Sequence, residues 1–289
     1  MYNSVGIILA FVALFSWGFG DFFIQKTTRL VGSFRALFFI GFVGFLALFP
    51  FVINDLPNLT TPDITLLVVL GIVVLFGALF DFEALRQGKI AIVEPIIGLE
   101  LPMTVGLGLI FLGESLSIIQ ALLILTVFIG ITLSVTTHHG HLRYHKRIFE
   151  KGVILAGIGA IGMALTNFMV GVSSSELTPL LAIWFAHTML ALSCGGYALF
   201  SGQFKGTMSI IRKHPVPIVG QSILDNLGWI SYASATTYLP LSITTTISES
   251  YLALAVLLGI FINKEKLKSY QLIGVLLATL GVISLSFFS

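Results

Sequence analysis

The chain reads as a succession of apolar runs, each about the 20 residues that an α-helix needs to cross a hydrocarbon core roughly 30 Å thick. Polar residues and Pro/Gly breaks divide them into predicted helices at 4–25, 33–53, 63–86, 90–111 and 117–136, then at 152–173, 178–200, 216–237, 242–262 and 269–288. The pattern predicts an all-α polytopic membrane protein with ten transmembrane helices. The connections are short, so no soluble domain is inserted and a catalytic domain has nowhere to sit. No His-x-x-x-His pair, Ser/His dyad or thiol nucleophile stands at matched depth, and an enzyme is not expected.

The two halves of the pattern repeat at an offset of 151 residues. Gly6 matches Gly157, Gly44 matches Gly195, Gly77 matches Gly228, and Ala84 matches Ala235. The densest stretch pairs Glu114, Leu116, Gln120, Leu125 and Gly130 with Glu265, Leu267, Gln271, Leu276 and Gly281. Five helices is an odd number, so the second half enters the membrane from the opposite side. Two inverted five-helix repeats are expected, 1–137 and 151–289, joined by a basic, His-rich loop at 138–150.

Composition agrees with a lipid-facing surface. Only 10% of the 289 residues are charged and the mean hydropathy is +1.03, where a soluble domain carries about 25% charged residues. A net charge of +2 gives no case for a nucleic-acid partner. Cys194 stands alone, which excludes an intrachain disulfide and a Cys-based zinc site. All 15 Lys and Arg fall in connections on one side, from Lys26, Arg29 and Arg35 to Lys264, Lys266 and Lys268. The positive-inside rule makes that side cytoplasmic, with both termini external and the protein in the cytoplasmic (inner) membrane. Met1 to Ser4 carry no basic residue and no small-residue cleavage site follows, so the first helix is expected to be retained. His138, His139, His141 and His145 fit no defined metal-ligand spacing and are read as a solvated loop; no metal or cofactor is expected.

Leu112-Gly113-Glu114-Ser115-Leu116 with Gln120 and Gly130, then Lys264-Glu265-Lys266-Leu267 with Gln271 and Gly281, resemble the ten-helix EamA type of the drug/metabolite transporter superfamily. Ser16-Trp17-Gly18 and the pair Pro95 and Pro102 resemble it too, and the likeness covers both repeats. The resemblance implies a carrier with a central cavity and leaves the substrate open. One departure is that the second repeat lacks prolines matching Pro95 and Pro102.

Ionisable groups inside a membrane face a cavity or one another. Asp21, Asp81, Glu83, Glu94, Glu100, Asp225 and Glu249 fall within predicted spans. Asp81 and Glu83 lie close to Arg86, where an ion-paired role at the rim competes with a cavity role. Trp17 with Asp21 and Asp225 with Trp229 are four residues apart, which puts each carboxyl beside an indole on one helix face. Such a pair suits an ammonium group or a proton, though an indole also packs or anchors at an interface. Asn167, Gln221 and Asn226 are candidate cavity polar groups, His187 a candidate proton relay, and the hydroxyl-rich start of the ninth helix a candidate cavity wall. The expected cavity lies among helices one, three, four, six, eight and nine, with five and ten facing lipid. Candidate substrate-binding or proton-coupling residues are Trp17, Asp21, Glu94, Glu100, Asn167, Asp225, Trp229 and Glu249.

The expected function is secondary transport by alternating access, moving small metabolites such as amino acids or related solutes. Coupling to protons through buried carboxyls and outward export are expected. The alternative is a proton-coupled efflux pump for cationic amines or drugs; a sensor using the fold as a scaffold and a channel are weaker rivals. The expected partners are a small-molecule substrate, protons and the bilayer, in a monomer or a homodimer.

Overall fold

The computed structural model describes residues 2–87, 96–135, 146–254 and 268–288. All regular structure among the described residues is helical. The first half contains α1 (Tyr2–Val31), α2 (Ser33–Val52), α3 (Thr61–Gln87), α4 (Glu100–Phe111) and α5 (Ile118–Val135). The second contains α6 (Lys146–Glu176), α7 (Pro179–Phe200), α8 (Pro215–Ala235), α9 (Leu241–Glu249) and α10 (Ser269–Phe287). A short helix, Thr207–Lys213, links α7 to α8. Glu94, Pro95, Lys264, Glu265 and the histidines at 138, 139, 141 and 145 lie outside the described residues.

Local chemistry sets the breaks. Gly32 at φ +85° and Gly113 at φ +65° take left-handed backbone where α1 turns into α2 and where α4 ends. Thr178 caps α7 by accepting from Leu181 N at 3.2 Å, with Pro179 in the first turn. The glutamines of the repeated motif have equivalent jobs. Gln120 Oε1 accepts from Ser117 N at 2.8 Å at the start of α5, and Gln271 Oε1 accepts from Lys268 N at 3.0 Å at the start of α10.

The bundle pairs α1 with α8, α3 with α6, α2 with α7, and α5 with α10. Exchanging the halves turns the first pair into the second and leaves the other two pairs unchanged, as a two-fold relation between inverted repeats requires. Glycine permits the closest crossings. Gly77 and Gly162 bring α3 and α6 into backbone contact, and Gly41 does so for α2 against His187 and Ala191 of α7.

Among the described residues, seven helices are long and apolar enough to cross a membrane: α1, α2, α3, α5, α6, α7 and α10. The shorter α4 is also apolar. Large aliphatic side chains such as Ile118, Leu122, Leu276 and Leu280 point outward from α5 and α10. A surface of this kind is at home in lipid, where only helices with internally satisfied backbones persist. The chain is therefore an all-helical polytopic membrane protein built from two repeats.

Candidate functional site

A cavity of about 70 Å³ lies between the repeats. Five carboxyls reach it from five helices: Asp21 from α1, Asp81 from α3, Glu100 from α4, Asp225 from α8 and Glu249 from α9. Trp17, Asn167, Trp229, Tyr251 and His187 join them. The lining residues include no Lys or Arg among those described. Helices α2 and α7 line it as well, through Leu37 and Ile40, and through Ile183 and His187, which the apolar character of α2 concealed. Neither α5 nor α10 contributes a lining residue.

Helical spacing separates two acids that sequence reasoning grouped. Val74, Ala78, Asp81, Phe82 and Leu85 recur at steps of three and four and face the cavity together. Glu83, two residues past Asp81, points the other way. It pairs with Arg86 at 2.6 Å and accepts from Ser33 Oγ at 2.9 Å and from Gln87. The rim role thus belongs to Glu83, and Asp81 is an inward acid whose signal was its place on the α3 face.

Glu100 and Glu249 are both 3% exposed and line the same cavity from α4 and α9. Two buried carboxylates in one site repel each other, and a proton shared between them relieves that repulsion. Asn167 Nδ2 donates to Glu249 Oε1 at 3.3 Å. One buried oxygen each of Asp81, Glu100, Asn167 and Glu249 has no hydrogen-bond partner among the described residues. An unpartnered buried oxygen carries a desolvation cost of about 1–3 kcal/mol, more where it is charged, which a donor-rich ligand removes.

The aromatic residues form one cluster. The Trp17 ring lies 5.0 Å from Trp229 at 67°, 5.6 Å from Tyr232 and 6.0 Å from Tyr251. Asp225 and Trp229, one helical turn apart on α8, line the cavity together as the second carboxyl–indole pair. Trp17 on the neighbouring helix stacks into the same cluster. Tyr232 joins it from behind, its hydroxyl 2.8 Å from Thr245 Oγ1.

The start of α9 differs from the expected hydroxyl-lined wall. Thr246 Oγ1, Ser248 Oγ and Ser250 Oγ donate to the carbonyls of Ser242, Thr244 and Thr246 at 2.7, 2.9 and 2.8 Å. These hydroxyls satisfy their own helix, and within α9 only Glu249 lines the cavity. The N-terminal end of α9 is held by Glu114 of the repeated motif. Its carboxylate accepts from Ser242 N at 3.0 Å, and also from Leu241 N and Ser242 Oγ. An acidic group at this position suits the unpaired N–H groups and positive dipole end of the helix.

Of the residues singled out from sequence, Trp17, Asp21, Glu100, Asn167, Asp225, Trp229 and Glu249 meet at this cavity. Glu94 lies outside the described residues. Gln221 and Asn226 instead bond the α2 backbone, Gln221 Nε2 to Ala36 O and Asn226 Nδ2 to Ile40 O, both at 3.1 Å.

Comparison with known proteins agrees with this architecture. A crystal structure of another protein matches with a TM-score of 0.71 over 98% of both chains at 13% identity, a likeness of fold alone. The uncharacterized protein MJ1333.1 of Methanocaldococcus jannaschii is 29% identical over 133 residues, which are 45% of this chain and 96% of that protein. The sequence pattern of the EamA-like transporter family matches twice, at residues 4–136 and 150–287. With both halves matched, the chain belongs to the EamA-like transporter family, membrane transporters of the drug/metabolite type.

Proposed function

We propose that the chain is a proton-coupled secondary carrier for a small metabolite bearing an ammonium group, bound in the central cavity. The observation that carries this reading is the lining: five carboxyls and an aromatic cluster, with no Lys or Arg among the described lining residues. An ammonium donates to the unpartnered oxygens of Asp81, Glu100 and Glu249 and lies against the Trp17, Trp229 and Tyr251 rings. Among the described lining residues a substrate carboxylate finds no cationic partner, which favours amines over anionic solutes. At about 70 Å³ the cavity holds a few waters or a compact solute, as an occluded intermediate of alternating access would.

Proton and ammonium compete for the same oxygens. The proton between Glu100 and Glu249 leaves when the amine binds, and returns when the amine is released on the other side. Export follows when the proton gradient is directed inward. Under the positive-inside rule, the basic end holding Arg35 and Arg86 faces the cytoplasm.

The test is proton flux in liposomes containing purified protein and a trapped pH dye. Amines, neutral amino acids, sugars and nucleosides are added in turn. Proton movement with amines supports the reading, with neutral amino acids a wider metabolite carrier, and movement with sugars or nucleosides alone contradicts it.

A further inference from the structure

The carboxyls on α4 and α9 do not exhaust the proton-binding groups of the cavity. On its α7–α8 wall, His187 is 2% exposed and its two ring nitrogens face different partners. Nδ1 lies 2.8 Å from Asn226 Oδ1, and Nε2 lies 3.9 Å from Asp225 Oδ2. Which nitrogen carries the hydrogen is decided by Asn226. Its Nδ2 points at two backbone carbonyls, Ile40 O at 3.1 Å and Ser222 O at 2.8 Å. Carbonyls only accept, so the amide cannot be turned over, and the oxygen must face His187. That oxygen needs a donor, and Nδ1–H supplies it. The lone pair of neutral His187 is thereby on Nε2, aimed at Asp225.

A bare imidazole nitrogen and a carboxylate facing each other are two acceptors without a hydrogen. One added proton completes the pair, whether it bonds to Asp225 or to Nε2. The geometry points to His187 and Asp225 as a second proton-binding site of the cavity, with Asn226 and Gly44 as positioning residues that fix the tautomer.

Gly44 belongs to the site because of where it lies on α2. A side-chain methyl there would collide with Asn226 Oδ1 and His187 Nδ1 together. Trp229, one turn along α8 from Asp225, lines the cavity beside it. The other ionisable groups of the cavity are Asp21 from α1, Asp81 from α3, Glu100 from α4, Glu249 from α9 and Tyr251. At this point α2 brings Ile40, Gly41 and Gly44, none of them ionisable, while its Arg35 bonds Gln203 O at 2.9 Å. The site differs from the Glu100–Glu249 pair in having a directional order: Asn226 holds one nitrogen, which leaves the other to exchange its proton with the cavity. As a coupling site it rests on the carrier reading above; as a proton site it does not, and the test reads the proton rather than the flux.

Protein labelled with ¹⁵N-histidine and reconstituted in liposomes is followed by solid-state NMR from about pH 9 down to about pH 5, the range in which imidazole and perturbed carboxyl groups exchange protons. The His187 signal is identified by its loss in H187Q. The expected alkaline spectrum has Nδ1 protonated and Nε2 bare. On acidification one proton enters, seen as protonation of Nε2 or as a carboxylic-acid infrared band that D225N lacks. N226L and G44A lose the single tautomer and give a mixture. The wild-type spectrum carries the test alone should either variant fail to fold. Nε2–H at the alkaline end, or a His187 signal and carboxyl band that both stay constant across the range, overturns the assignment. A His187 that titrates as described, without methylamine-driven proton flux, leaves the site standing and removes the carrier reading.

Discussion

Along the α5–α10 seam, each residue meets the counterpart of its own partner. Gly130 lies against Ala278, while Gly281, its equivalent 151 residues on, lies 2.7 Å from the Val127 side chain if given a Cβ; Val127 is the equivalent of Ala278. The cavity follows the opposite rule. At the same offset Asp21 corresponds to Val172, Asp81 to Tyr232, Glu100 to Tyr251, Asp225 to Val74 and Glu249 to Gly98. No carboxyl there has an acidic counterpart. The seam keeps the repeat because two identical helix faces must close on each other. On the carrier reading proposed above, the cavity breaks it because a single bound solute is not symmetric, so its acids are freed from the repeat. Symmetric positions carry the scaffold, and unmatched polar positions carry the chemistry.

The comparison breaks most visibly at the unmatched acids. Glu249→Gln removes one of the two proton-sharing carboxyls. Truncating one partner of a buried charged pair costs roughly 2–5 kcal/mol, so the apparent affinity for an amine should fall by about 30-fold or more, read as the concentration dependence of proton flux. The amount of folded protein should remain near wild type. Gly130→Leu at the seam should do the reverse. Forcing a side chain against the Ala278 backbone costs about 1–3 kcal/mol, lowering the melting temperature in detergent while amine binding in the surviving protein keeps its affinity. A seam variant that changed substrate preference would contradict the division.

Smaller effects sharpen it. Glu114→Ala strips the carboxylate that caps α9, at about 1–2 kcal/mol, and should raise hydrogen exchange at Leu241 and Ser242 first. Thr246→Val keeps the shape of this buried side chain and removes a hydroxyl that only folds back on Ser242 O, and should cost about 1 kcal/mol of stability while leaving flux near wild type. A large loss of flux in that variant would return the α9 hydroxyls to the cavity wall.

The helical architecture was legible because lipid leaves a chain few choices: apolar runs, basic connections and an ungapped repeat all constrain the same solution. Pairing by motif was legible too, although the motif Glu114 and Gln120 turned out to cap α9 and α5 rather than face the solute. Trp17, Asp225 and Glu249 could be chosen by polarity within apolar spans. What sequence did not separate was direction. Asp81 and Glu83 differ by a half-turn of one helix, and only the period of Val74, Ala78 and Leu85 distinguishes inward from rim. The hydroxyls of α9 looked like a polar lining because composition does not reveal that a hydroxyl can bond its own backbone. His187 stood out as a histidine within an apolar span, but its partners needed the third dimension, since they come from α8, 38 and 39 residues away.

The central claim is that an ammonium group displaces a proton from the cavity acids, and proton release measures it directly. Purified protein in weakly buffered detergent is titrated with methylamine hydrochloride matched in pH, and then with methanol as the uncharged analogue. The account predicts release of about one proton per amine bound from the shared carboxyl pair, none with methanol, and loss of the release in a Glu100→Gln, Glu249→Gln double variant. Amine binding without proton release, or release undiminished in the double variant, would contradict it.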